Sequence, residues 1–279
     1  MIFRARQFEW SFPRGAVVMG IVNVTPDSFY DGGRFLDPAA AVAHGLELVA
    51  EGAEILDIGG DSSRPGAAPA KEGEELARVI PVIAALAAQT SVALSIDTTK
   101  PAVARAALAA GACIVNDVAA HRGDDNLWKV VAEAGAGYIC MHAQGSPATM
   151  QSAPAYQDVV REVAAFFVDR LDQIVRAGVP AEQIVLDVGI GFGKTLEHNL
   201  QLLAGLGEFA RLERPCLLGV SRKSFINKLL NTPINERLPA SLACASMAIE
   251  AGVQFIRTHD VAATVQAVRM TEAILAHRT

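Results

Sequence analysis

What most limits how this chain can fold is a recurrence. Eight short runs rich in apolar and β-branched residues follow one another: AVVMGIVNV, EILDIGG, SVALSID, CIVNDV, GYICMH, QIVLDVG, PCLLGVS and VQFIRTH. Their hydrophobicity is continuous rather than alternating, the pattern of parallel strands covered on both faces. The segments between them carry helical period. Leu76, Val79, Ile80 and Ile83 make one stripe. Val159, Val163, Phe166, Phe167, Arg170 and Ile174 make another, in which Arg170 lays its stem along apolar surface and snorkels its charge to water. Five of these segments end alike, in Glu51-Gly52-Ala53, Ala110-Gly111-Ala112, Ala134-Gly135-Ala136, Ala177-Gly178-Val179 and Ala251-Gly252-Val253. A glycine just past a helix supplies the left-handed cap that other residues resist.

Eight strand–helix units match a closed (β/α)8 TIM barrel, for which about 250 residues is typical. The sequence therefore predicts one α/β domain, with a short N-terminal extension over residues 1–15 and the barrel over 16–279. An open doubly wound sheet is the alternative. It would place a glycine-rich fingerprint after the first strand, and none stands there. GSPATMQSAPAY, residues 145–156, reads as a long loop rather than a linker.

Composition fits a large core and narrows the partners. Of 279 residues, 51% are hydrophobic and 19% charged, which excludes a disordered chain. A net charge of −6 argues against nucleic-acid or anionic-membrane binding, while leaving room for a local cation cluster and a small anion. No apolar run reaches the length of a membrane span, and Arg4, Arg6 and Glu9 interrupt the N-terminal stretch where a signal peptide would need an apolar centre. Cys113, Cys140, Cys216 and Cys244 are widely separated with no CxxC spacing, so buried free thiols are expected, three of them in strands. The expected location is the cytoplasm.

In such a barrel the chemistry sits at the carboxyl ends of the strands. Those ends carry Asn23, Asp57, Asp97, Asn116-Asp117, His142, Asp187, Ser221-Arg222-Lys223 and Arg257-Thr258-His259-Asp260. Asp117 and Asp260 are candidates for ordinary helix caps. Capping alone does not explain a polar group at every strand end. The acids Asp57, Asp97 and Asp187 face the donors Lys223, Arg257 and His259, which predicts a substrate with two unlike ends. A carboxylate such as Asp187 suits a guanidine-like heterocycle edge. Arg257, His259 and helix-start N–H groups suit a phosphate or pyrophosphate.

GIGFGKT, residues 189–195, resembles a phosphate loop but has Val188 where that motif needs its first glycine, so a nucleotide-triphosphatase reading is rejected. DGGRF and RPGAA, directly after the first and second strands, read as lids over the barrel mouth. His142 either packs or touches ligand. His259, two residues after Arg257, points the same way along a strand and is assigned to ligand. His44, His121, His198 and His277 are expected at the surface, and no histidine pair has zinc-site spacing.

One motif per strand end now stands in a definite order: MGIVNVTPDSFYDGG, GGDSSRPGA, SIDTTKP, IVNDV, MHAQGSPATMQ, LDVGIGFGKT, SRKSFI and IRTHDV. In this the chain resembles the dihydropteroate synthases over essentially its whole length. The resemblance implies a TIM-barrel transferase of folate biosynthesis. Such an enzyme joins 6-hydroxymethyl-7,8-dihydropterin pyrophosphate to p-aminobenzoate with Mg²⁺ and releases pyrophosphate. It places Asp97, Asn116, Asp187 and Lys223 on the pterin, and Asn23, Arg64, Arg257 and His259 on the pyrophosphate. Asn23 and Asp31 are linked to Mg²⁺. Phe29, Ser63, Pro65, Phe192 and Ser221 form the surface for p-aminobenzoate and sulfonamides. Asn23, Asp97, Lys223, Arg257 and His259 are the catalytic set. A homodimer is expected, with small-molecule substrates and neither nucleic acid nor membrane as partner.

The chain departs mildly from the family pattern. Asp61 and Ser63 stand where the pattern has Glu and Thr, and Val188 and Ile190 where it has Pro and Phe. Three competing readings remain at this point. A methyltetrahydrofolate methyltransferase-type domain would not need Arg257, His259 or the 23–33 stretch. A non-catalytic pterin-binding paralogue would be expected to lose a loop or a cation. A sugar-phosphate aldolase using Lys223 covalently fits the acids of the third and sixth strands less well.

Overall fold

The computed structural model describes residues 1–25, 37–61, 69–120, 124–145, 149–150 and 153–278. Eight parallel strands close into a barrel: β3 (Val17–Asn23), β4 (Ile55–Gly59), β5 (Ala93–Asp97), β6 (Ile114–Asp117), β7 (Gly137–Met141), β8 (Ile184–Asp187), β9 (Cys216–Gly219) and β10 (Phe255–Thr258). β10 pairs back onto β3 and completes the ring. Around it lie α1 (Pro38–Ala50), α2 (Glu72–Gln89), α3 (Pro101–Ala110), α4 (Asn126–Ala134), α5 (Val159–Arg176), α6 (Leu196–Ala204), α7 (Ser224–Leu230), α8 (Leu238–Glu250) and α9 (Val261–Leu275). The predicted (β/α)8 barrel is the fold found.

The continuous apolar runs resolve into two faces. Val18, Val22, Leu56, Ile58, Leu94, Ile96, Val115 and Leu186 pack outward under the helices. Their neighbours Val17, Met19, Ile55, Ala93, Ile114, Ile139, Val185, Leu217 and Phe255 fill the barrel interior. Side chains alternate across a strand, so the next inward residues after Ile55, Ile114, Val185 and Phe255 are Asp57, Asn116, Asp187 and Arg257, while Ile21 and Ser95 intervene before Asn23 and Asp97. The apolar interior thus gives way, toward the carboxyl ends, to a polar one.

The helix punctuation holds. Gly52, Gly111, Gly135, Gly178 and Gly252 all have positive φ, from +60° to +121°. Val79 and Ile83 are fully buried on α2, as are Val163, Phe167 and Ile174 on α5. Arg170 differs from expectation. Its guanidinium lies over the rings of Phe166 and Trp128, at 5.1 and 5.8 Å, where the electron-rich aromatic faces attract the cation. Cys140 and Cys216 lie in strands, whereas Cys113 sits just before β6; all four thiols are free.

The first fifteen residues are more than an extension. β1 (Ile2–Ala5) and β2 (Phe8–Ser11) form an antiparallel hairpin that closes the amino end of the barrel. Phe3 and Trp10 stack at 5.4 Å and meet Phe255 edge-on. Arg6 ties the hairpin down by donating to the Leu108 and Ala112 carbonyls at 2.7 and 2.9 Å.

Candidate active site

The barrel's carboxyl end opens into one cavity of about 530 Å³. Asn23, Asp97, Asn116, Asp187, Phe192, Ser221, Lys223, Arg257 and His259 all line it. Asp187 and Arg257 therefore share a cavity, as the two-ended substrate requires. Phe29, Asp31, Ser63, Arg64 and Pro65 lie outside the described residues.

The polar groups are wired together rather than sorted by charge. Arg257 donates from Nε to Asp57 Oδ2 at 2.6 Å and from Nη2 to Asp97 Oδ2 at 2.9 Å. Asn116 Nδ2 donates to the same Asp57 oxygen at 2.9 Å. The expected division into an acidic side and a basic side is thus corrected. A guanidinium this deep requires carboxylate partners, and the barrel supplies them from adjacent strands. Asn116 Oδ1 is buried without a hydrogen-bond partner among the described residues. Since a carboxylate can only accept, Asp57 orients the Asn116 amide and leaves that oxygen as the acceptor.

Asp187 is 5% exposed, and its Oδ1 accepts from the Gly189 N–H at 2.8 Å. Burial raises its pKa, against the pull of the Lys223 charge. Asp97 is pushed up to about 7, first by burial and then by the charge of Asp57. Burial drives the Lys223 ammonium down to about 8, with Asp187 opposing. Lys223 Nζ donates to the Ile190 carbonyl at 2.5 Å and stands 4.9 Å from the centre of the Phe192 ring. A cation over a ring face, flanked by acids, makes a slot for a flat heterocycle with donors on one edge and acceptors on another.

His259 and Ser221 form a unit, with His259 N–H donating to Ser221 Oγ at 3.2 Å and Nδ1 3.0 Å from it. Ser221 thus supports His259 as well as lining the cavity. Among the described residues, neither candidate cap uses its side chain to cap a helix. Asp260 forms a bidentate pair with Arg222, and buried Asp117 accepts from Tyr138 Oη at 2.6 Å and from Ala119 N at 2.9 Å. His142 is not among the described residues that line the cavity; it is buried edge-on to Phe166, with its Nδ1 3.0 Å from the Lys194 ammonium. His198, half-buried, completes a capping box with Thr195; His121 lies outside the described residues.

The sequence reading missed several residues of the cavity wall: Ile21, Asp61, Met141, Met150, Ser224 and Arg237. Met141 follows from strand alternation alone. Met150 does not, since it reaches the cavity from the middle of a loop. Asp61, one of the departures from the family pattern, accepts from Lys100 at 2.7 Å and from Ala70 N–H at 2.9 Å.

Comparison with known proteins agrees with this geometry. Residues 19–259 match the sequence profile of the pterin binding enzymes. The chain is 48% identical to the dihydropteroate synthase of Escherichia coli K12, over 92% of this chain and 91% of that one. A crystal structure of Yersinia pestis dihydropteroate synthase with a sulfonamide drug complex superposes with a TM-score of 0.95 at 43% identity, covering 99% of this chain and 100% of that one. Dihydropteroate synthase from Xanthomonas albilineans in complex with 7,8-dihydropteroate gives a TM-score of 0.89 at 42% identity, covering 100% of both. The chain belongs to the dihydropteroate synthase family of pterin-binding enzymes and is a transferase on the (β/α)8 barrel.

Proposed function

We propose that this enzyme condenses 6-hydroxymethyl-7,8-dihydropterin pyrophosphate with p-aminobenzoate, giving 7,8-dihydropteroate and pyrophosphate. The observation that carries the reading is the convergence of Asp97, Asn116, Asp187, Lys223 and Arg257 on one cavity. Asp187 accepts from the pterin's adjacent ring N–H and amino donors, and Asp97 and Asn116 Oδ1 add further acceptors. Lys223 donates to the ring's oxygen and nitrogen acceptors from the other side.

The reaction runs with pyrophosphate departure ahead of amine attack. The C–O bond to the pyrophosphate breaks with its electron pair leaving on oxygen, and the pterin delocalises the methylene cation. Arg257, His259 and Arg64 neutralise charge growing on the leaving group, where electrostatic stabilisation counts most. The p-aminobenzoate nitrogen, held against Phe192, then bonds to the carbon through its lone pair and releases one N–H proton, to the departed pyrophosphate or to water, leaving the neutral secondary amine. No protein nucleophile takes part, so Lys223 binds and orients without forming a Schiff base.

The donor set at the mouth fits Mg²⁺. Asn23 offers a hard amide oxygen at the cavity, and Asp31, outside the described residues, is the second donor the resemblance implies. Mg²⁺ ordinarily takes one or two protein oxygens together with substrate phosphates and water. When bound, the ion supplies charge neutralisation at the pyrophosphate oxygens.

Sulfonamides compete for the arylamine slot, and Ser63, short of a methyl beside the family's Thr, tunes that competition. Four free thiols and no helix long and apolar enough to cross a membrane, among the described residues, support a reducing cytoplasmic location. Exposed Met247 on α8 and Met270 and Ile274 on α9, two helices packed against each other, support a homodimer through this pair.

The test is to incubate the pure protein with pterin pyrophosphate, p-aminobenzoate and Mg²⁺ and assay dihydropteroate. Product that requires all three is expected. Pterin binding without product would identify a non-catalytic paralogue; no pterin binding would overturn the assignment.

A further inference from the structure

Lys194 ends the GIGFGK stretch on the turn between β8 and α6, and the phosphate reading leaves it without a role. It is 1% exposed. Its ammonium lies 2.9 Å from the Gly189 carbonyl, 3.1 Å from that of Phe192 and 3.3 Å from that of His142. It also lies 3.0 Å from His142 Nδ1. Three carbonyls and an imidazole nitrogen thus converge on one buried cation.

The backbone enforces that convergence. Gly189 and Gly193 have φ of +68° and +63°, and a Cβ on them would lie 1.8 Å from the His142 carbonyl and 2.2 Å from that of Gln144. The turn is therefore pressed backbone to backbone against the segment leaving β7. Carbonyl dipoles crowded together in the interior repel one another and have lost their water; the Gly189 carbonyl also accepts from Phe192 N–H at 3.1 Å, and a cation among the three offsets the repulsion that this one N–H leaves.

What this turn carries is the site itself. Gly189 N–H donates to Asp187, the Ile190 carbonyl receives Lys223 Nζ, and the Phe192 ring lies beneath that ammonium. We propose that Lys194 is a positioning residue: its ammonium is a built-in cation that clamps the β8–α6 turn to the end of β7 and so sets where Asp187, Phe192 and Lys223 stand. Lys194 lies behind the cavity wall rather than on it and acts through these residues. The kinetic part of the test rests on the synthase reading; the exchange part does not.

Lys194→Met keeps the stem and removes the cation, while Lys194→Ala opens a space for a small alkylammonium ion. Both variants are expected to lose about 10- to 100-fold in kcat/KM for p-aminobenzoate, the range seen when a supporting group behind a site is removed. n-Propylammonium should restore Lys194→Ala severalfold, whereas n-propanol at the same concentration should not. Amide hydrogen exchange at Gly191 and Phe192 should quicken in Lys194→Met while β4 and β5 stay unchanged. Wild-type kcat/KM in Lys194→Met, or rescue by the alcohol equal to that by the ammonium, overturns the proposal. If the wild-type protein makes no dihydropteroate, the synthase reading fails; the clamp then stands or falls on whether exchange at Gly191 and Phe192 quickens. Should Lys194→Ala not fold, the exchange and kinetics of Lys194→Met decide the matter alone.

Discussion

Lys223 shows how much of this site is a matter of single side chains in a set environment. Between the acid of Asp187 and the face of Phe192 it has a definite electrostatic task, and nothing in the proposed reaction asks it for a covalent bond. Lys223→Ala is expected to lower kcat/KM by about 100-fold or more, in line with removal of a charged group that faces the reacting substrate. Borohydride treatment of the wild-type enzyme during turnover should leave an unmodified chain by mass spectrometry; a trapped adduct on Lys223 would refute its binding role. Because burial brings this ammonium down to about 8, kcat/KM for the pterin substrate should fall as pH rises through that value. Asp97 makes the complementary case. Its carboxyl titrates at about 7 when folded, against 3.8 as a free side chain. Between these values the folded chain holds a proton that the unfolded chain has released, so this group's contribution to stability is lost as pH rises across the window. The melting temperature of Asp97→Asn, relative to wild type, should therefore become more favourable from pH 5 to pH 8, while pterin binding is lost. A difference that stays flat with pH would show that Asp97 is not held protonated.

At the scale of elements, the glycines separate turns that need only a backbone angle from turns that also need space. Gly135 caps α4 with φ +60° and has nothing within 4 Å of an added Cβ. Gly135→Ala should cost about 1–2 kcal/mol, the penalty of a left-handed L-residue. Gly189 has a similar angle, but its Cβ would strike the His142 carbonyl, so Gly189→Ala has to move strand ends and should cost clearly more. Urea denaturation of the two variants measures the contrast; equal losses would mean that the β7–β8 approach carries no strain. This difference marks the limit of what was legible. Five helix ends could be placed from an Ala-Gly or Glu-Gly step, because a left-handed cap is a local requirement. The crowding at Gly189 comes from a different strand, and no local pattern announces it.

The whole molecule rests on a barrel closed at one end and functional at the other. Phe3 is fully buried against Trp10 and Phe255, so Phe3→Ala should cost about 3–5 kcal/mol, as truncation of a core aromatic does. Pterin affinity in the surviving folded fraction should be unchanged, since the site lies at the far end; a parallel loss of affinity would show that the two ends are coupled. Met247→Asp, on the exposed face of α8, should shift the protein toward monomer in light scattering if the proposed dimer forms there. From sequence alone came the count of eight barrel strands, the placing of polar residues at the carboxyl ends and the assignment of nine cavity-lining residues. Those features depend on continuous apolar runs, on helix punctuation and on motif order, all of which are written along the chain without reference to tertiary contacts. Only the tertiary structure decided that Arg257 spans Asp57 and Asp97, that the N-terminal stretch plugs the barrel, and that Lys194 is a buried cation among carbonyls. Each of these depends on contacts between residues far apart in the chain, where closure of the ring chooses which partner a charge or an aromatic ring will meet.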